Sequence, residues 1–150
     1  MTHEFKTIVK SHLLAVKQGL NSVLATVVDL EGSSYRKPGV RMLILENGKM
    51  IGAVSGGCVE KDILRQSESV FKTGKSKMMT YDGRYRLGCE GILYILLEPF
   101  NPDSKFIKQF SKVLKNRNSF QIKSYFTKDI GESDKIGSIV YLNGESNAIS

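Results

Sequence analysis

Apolar positions along this chain change period several times, and each change marks an element. Phe5, Ile8, Val9, Leu13, Val16 and Leu20 recur at three- and four-residue spacing with lysines between them, which predicts an amphipathic opening helix. Residues 22–30, SVLATVVDL, are a β-rich apolar run and predict a buried strand. Residues 31–39 hold Gly32, Ser33, Ser34, Pro38 and Gly39 and read as a loop before a second strand at 40–45. Asn47-Gly48 is a hairpin signal, and residues 49–54 return as a third strand.

A helical pattern then covers residues 59–73, with Ile63, Val70 and Phe71 as its inner face and Gly74 as its stop. A short strand is expected at 77–81, a loop at 82–91 and a continuous apolar strand at 92–97. Pro99 and Pro102 interrupt regular structure beyond it. Phe106, Ile107, Phe110, Val113 and Leu114 mark another amphipathic helix; residues 120–126 alternate as a strand, and 136–142 suit one more. Residues 143–150 are polar and read as a tail without a partner. This order predicts one α/β or α+β domain, a mixed β-sheet flanked by helices, and no dinucleotide fingerprint, since G-x-G-x-x-G does not occur.

Length and composition narrow the class. A chain of 150 residues buries roughly 70% of its unfolded surface and folds without disulfides. Its two cysteines are too few for a disulfide framework. No apolar run reaches the length of a membrane span, and residues 2–10 mix charge with apolar positions, unlike a signal peptide. A reducing cytoplasm is the expected compartment, without membrane association. The 22 basic residues exceed the 15 acidic ones by a formal +7, which can attract an anion. No nucleic-acid recognition signature accompanies that excess, and no nucleic-acid partner is expected.

The chemistry-bearing residues sit in glycine-rich turns. Ser55-Gly56-Gly57-Cys58 ends an apolar run and opens a helix, which places a thiol at a helix N-terminus, where negative charge is favoured. Leu87-Gly88-Cys89-Glu90-Gly91 sets the second cysteine between glycines. The loop at 31–41 adds Arg36, Lys37 and Arg41 to small hydroxyls, a combination suited to phosphate or to an ordinary basic surface. Thr73-Gly74-Lys75-Ser76 resembles the end of a P-loop, but Ser69 stands where the pattern needs glycine and a helix precedes the segment rather than follows it. His3 and His12 lie nine positions apart, with no cysteine or carboxylate pair beside them for metal ligation, and read as surface or satisfied core histidines.

In sequence order, Ala25-Thr26-Val27-Val28, Glu31-Gly32-Ser33-Ser34, Pro38-Gly39-Val40-Arg41-Met42, residues 52–60, residues 87–91 and Glu98-Pro99 resemble the XdhC/CoxI family, over about residues 13–100. Members are accessory proteins of xanthine dehydrogenase and related molybdenum hydroxylases. The resemblance implies a chaperone-like maturation factor rather than a catalyst, with no catalytic residue. Its expected cargo is molybdenum cofactor, bound transiently. Its expected partners are the apo-molybdoenzyme, a cysteine desulfurase as sulfur donor and a second copy in a homodimer. The implied contact residues are Ser55, Gly56, Gly57, Cys58, Gly88, Cys89, Arg36 and Arg41, with Cys89 and Cys58 toward molybdenum. Residues 1–100 would form the family-like core, and 101–150 an extension of it or the start of a linker to a Rossmann-like domain found in longer members. Glu90 departs from the family's usual glycine. Two other classes stay open on the residues themselves: a thiol-dependent redox or sulfur-transfer enzyme using Cys58 or Cys89, and a protein-interaction domain.

Overall fold

The computed structural model of the chain describes residues 2–32, 38–52, 58–83 and 91–150, with the backbone alone at Thr2 and Cys58. Helix α1 (Thr2–Lys17) is followed by strands β1 (Ser22–Glu31), β2 (Arg41–Leu45) and β3 (Met50–Gly52). Helix α2 (Cys58–Thr73), strands β4 (Lys77–Asp82) and β5 (Ile92–Pro99) and helix α3 (Ser104–Lys115) come next. Four strands close the chain: β6 (Phe120–Tyr125), β7 (Gly131–Glu132), β8 (Gly137–Leu142) and β9 (Glu145–Ala148). Six strands form one sheet in the order β3-β2-β1-β5-β4-β7, and β6-β8-β9 form a second. The architecture is α/β in composition, as expected. Every described pairing is antiparallel, which narrows the mixed sheet to the α+β form.

Alternation along the strands divides the core into layers. Val23, Ala25 and Val27 of β1, Met42 and Ile44 of β2, and Leu93, Ile95 and Leu97 of β5 pack with Val59, Ile63 and Val70 of α2 on one face. Leu24, Leu43 and Leu45 face the other way, onto Phe5, Ile8 and Val9 of α1, Phe106, Phe110 and Val113 of α3, and Val140 and Leu142 of β8. Residues 101–150 therefore share a core with the first hundred. Phe5 anchors this layer, meeting Phe100 and Phe110 edge-on at 6.2 and 5.5 Å.

Local signals account for most boundaries. Gly74 takes φ +70° and its N–H donates to the Val70 carbonyl, ending α2 where the sequence predicts. Asp103 caps α3 by accepting from the Phe106 N–H at 2.7 Å. The Asn47-Gly48 turn joins β2 to β3 as expected. Residues 143–150 are not a tail. Asn143 and Gly144 have φ +50° and +83°, the two left-handed positions of a type I′ turn, so β9 folds back onto β8 and Ile149 is fully buried. The opening helix also differs from its pattern. Phe5, Ile8, Val9, His12 and Ala15 face inward, while Leu13 and Val16 stay 37% and 55% exposed. Among the described residues no helix is long and apolar enough to cross a membrane.

Candidate functional site

The three segments that carry the chemistry-bearing turns are anchored at one end of the six-stranded sheet. Antiparallel order brings the ends of β1, β3 and β4 beside the starts of β2 and β5, so Glu31 pairs with Ile92, Asp82 with Ile92, and Met42 with Gly52. Gly32, Gly52 and Gly83 lead out of this end; Pro38 and Gly91 lead back into the sheet, and Cys58 begins α2. The Gly83 N–H donates to the Gly91 carbonyl at 3.0 Å and ties the two ends of segment 84–90 together.

Two glycines here are required by close approach. A Cβ on Gly91 would collide with the Glu31 carbonyl and reach within 3.1 Å of the Gly32 Cα. Gly52 has φ +120°, and a Cβ there would meet the Arg41 carbonyl oxygen at 2.8 Å. The residue that follows segment 84–90, Gly91, thereby lies against Glu31 and Gly32, which precede segment 33–37.

Of the expected contact residues, Arg36, Ser55, Gly56, Gly57, Gly88 and Cys89 lie outside the described residues. Cys58 is the first residue of the sixteen-residue helix α2, at the end whose free N–H groups favour an anion. Among the described residues no group of three or more His, Cys, Asp or Glu side chains is placed to hold a metal ion.

Arg41 is described fully, and it is committed to the fold. Its side chain is buried on the sheet face opposite α2, where Nη1 donates to the Gly39 carbonyl at 3.1 Å and Nη2 to Ser124 Oγ at 3.3 Å. Ser124 and Ser138 hydroxyls meet at 2.7 Å, and the Ser138 hydroxyl and N–H donate to the Glu98 carboxylate at 2.6 and 2.8 Å. The donors run in one direction, from Arg41 through the two serines to Glu98. Burial pushes the Glu98 carboxyl above its ordinary range, against the opposing pull of the Ser138 hydrogen bonds and Arg41. Desolvation likewise lowers the Arg41 pKa, with Glu98 opposing.

Sequence reading missed several charged groups of the fold. Glu98 carried one signal, a lone carboxylate closing a continuous apolar strand. Glu60 is buried in the first turn of α2, two residues after Cys58, where the helix dipole favours a carboxylate. At the end of β1, Lys128 pairs with Asp29 and Glu31 at 3.2 and 3.3 Å, and the Tyr94 hydroxyl donates to Glu31 at 2.9 Å. The Lys128 ammonium also sits 5.0 Å from the Tyr94 ring centre. Lys128 stands 97 positions from Glu31, so no local pattern announces the cluster. Asp29 is held below its usual range by the Leu30 N–H and then Lys128, while Tyr94 is raised by its bond to Glu31.

Comparison with known proteins agrees with the motif order. Residues 15–82 match the sequence model of the XdhC and CoxI family. The chain is similar to a probable xanthine dehydrogenase subunit of Bacillus subtilis (strain 168), 35% identical over 61% of this chain and 30% of that protein. It is also similar to the molybdenum cofactor insertion chaperone PaoD of Escherichia coli (strain K12), 31% identical over 54% of this chain and 26% of that protein. The chain thus spans less than a third of either relative. A crystal structure of a xanthine dehydrogenase from Bacillus halodurans shares the fold, with TM-score 0.69 and 24% identity over 95% of this chain and 44% of that one.

Proposed function

We propose that the chain, whose residues 15–82 match the XdhC and CoxI family model, belongs to that family and is a maturation factor that holds molybdenum cofactor as cargo for a xanthine dehydrogenase-type enzyme. The observation that carries the reading is the shared anchoring of segments 33–37, 53–57 and 84–90 at one sheet end, with Gly32 and Gly91 in contact.

The cargo has a phosphate and a dithiolene-bound metal, and the donor set suits both. In this reading Cys89 and Cys58 supply soft sulfur ligands toward the molybdenum. Ser55, Gly56, Gly57 and the first turn of α2 supply N–H groups for an anion, and Arg36 supplies charge for the phosphate. Gly88 lets the cargo approach the backbone. Arg41 acts beneath the site, fixing the start of β2 through Gly39 and Ser124 rather than meeting the phosphate. A cysteine desulfurase installs the terminal sulfur while the cargo is held, and the loaded protein hands it to the apo-enzyme. The working unit is a homodimer in the cytoplasm, and residues 101–150 complete the domain's core.

The test is to purify the protein from cells that make molybdenum cofactor and measure molybdenum per chain for the wild type, Cys58→Ala and Cys89→Ala. Cys89→Ala should retain less than about a tenth of the wild-type metal, the loss expected when a direct ligand worth more than about 1.4 kcal/mol is removed. Equal retention in all three proteins would end the assignment of the thiols.

A further inference from the structure

We propose that the groove between α1 and α3 is a docking surface for an acidic amphipathic helix of a partner protein. Its floor is apolar: Val9 and Leu13 of α1 face Ile107, Phe110 and Leu114 of α3 across a space of about 360 Å³. Leu13 is 37% exposed, and Ile107 and Leu114 are only partly buried against the core. Ile107 and Leu114 stand seven residues apart on α3, about 10 Å at 1.5 Å rise per residue. Apolar residues at i, i+3 or i+4, and i+7 of an incoming helix repeat over the same distance, so its apolar face matches the groove's length.

Charge selects which helix fits. Together α1 and α3 carry seven lysines against one glutamate, a formal +6 out of the chain's +7. Lys6 and Lys10 line the groove itself. Placing nearly all of the protein's net charge on the two helices that form the groove favours a partner whose apolar stripe is flanked by Asp and Glu. A concave floor between two helices also accepts the ridge of a third helix better than it accepts a flat bilayer surface.

The groove lies on the sheet face opposite α2, so its occupancy is independent of any cargo beside Cys58. The experiment uses the full chain without cargo and a fluorescent peptide of about four helical turns, with leucines at i, i+3, i+7 and i+10 and glutamates elsewhere. Anisotropy at low salt should show saturable binding that weakens as salt rises. Leu13→Glu should weaken it about tenfold or more, and so should Lys6→Glu with Lys10→Glu, while circular dichroism of both variants stays that of the wild type. Equal affinity for a peptide with lysine in place of every glutamate, or unchanged binding by Leu13→Glu, would overturn the proposal. So would a Leu13-dependent dimer in sedimentation equilibrium with no peptide binding, since a second copy then fills the groove. Leu13-dependent sedimentation with phosphatidylglycerol vesicles and no peptide binding would equally overturn it, in favour of a lipid surface.

Discussion

His12 illustrates how one side chain couples packing to pH. It is buried in α1, shares a 3.1 Å hydrogen bond with the Ser22 hydroxyl and meets the Phe100 ring edge-on at 5.0 Å. Burial lowers its pKa from the ordinary 6.5, so the folded protein keeps it neutral where the unfolded chain takes up a proton. Its contribution to stability is therefore present above about pH 6.5 and is lost as pH falls from there toward the lowered folded value. Glu98 runs the other way. Its pKa is raised, so its contribution is present below about 4.5 and is lost as pH rises through the folded value. Comparing His12→Gln with the wild type isolates the histidine, because Glu98 is common to both. Urea midpoints at pH 7.5 and 5.5 should fall further in the wild type than in His12→Gln; parallel falls would show that His12 titrates freely in the fold.

At the scale of elements, the joint between β1 and β5 decides how the candidate site is held. The two strands pair from Val23↔Pro99 to Glu31↔Ile92, with a bulge between Val27 and Asp29 that resets the register before the sheet end. Gly91 then lets the two backbones touch. Gly91→Ala should push the start of β5 off the end of β1 and cost about 1–3 kcal/mol, the range for overpacking a tight contact. Molybdenum retention should drop with it, because segments 33–37 and 84–90 are both anchored there. A Gly91→Ala protein of wild-type urea midpoint and full retention would show that the approach of the two strands is incidental.

For the molecule as a whole, the polar line from Arg41 to Glu98 fastens the two sheets together. It reaches from β2 and β5 of the six-stranded sheet to Ser124 on β6 and Ser138 on β8, through a largely apolar layer. A half-satisfied buried network costs more than an apolar one, so the middle of the line is its most sensitive point. Ser138→Ala removes one donor to Glu98 and the acceptor for Ser124, and should lower stability by about 1.5–3 kcal/mol in urea denaturation. A change within about 0.5 kcal/mol, the range for ordinary surface positions, would mean that the sheets are held by their shared apolar core and not by the polar line. The α1–α3 groove belongs to this same layer, at its outer edge, where apolar side chains exceed what the second sheet covers.

Element order was legible in the sequence by itself, because a periodic apolar face records which side of a helix or strand meets the core. The strand at 22–30, the helix stopped by Gly74 and the Asn47-Gly48 hairpin all follow from local chemistry that acts within a few residues. The order of the glycine and cysteine motifs likewise pointed to the XdhC and CoxI family, whose model matches residues 15–82. Asn143-Gly144 carried the same hairpin signal, but the strand after it is short and polar, and alternation had nothing to mark. Only the tertiary structure decided the rest. Arg41 and Ser124 are 83 positions apart, Glu98 and Ser138 are 40 apart, and pairs so distant leave no periodic trace. A buried arginine and a phosphate-binding arginine look alike in sequence; the antiparallel stacking of two sheets is what turned Arg41 inward. That same stacking set the anchors of three separate turns at one end, because hairpin-like reversals return every second strand to the edge it left.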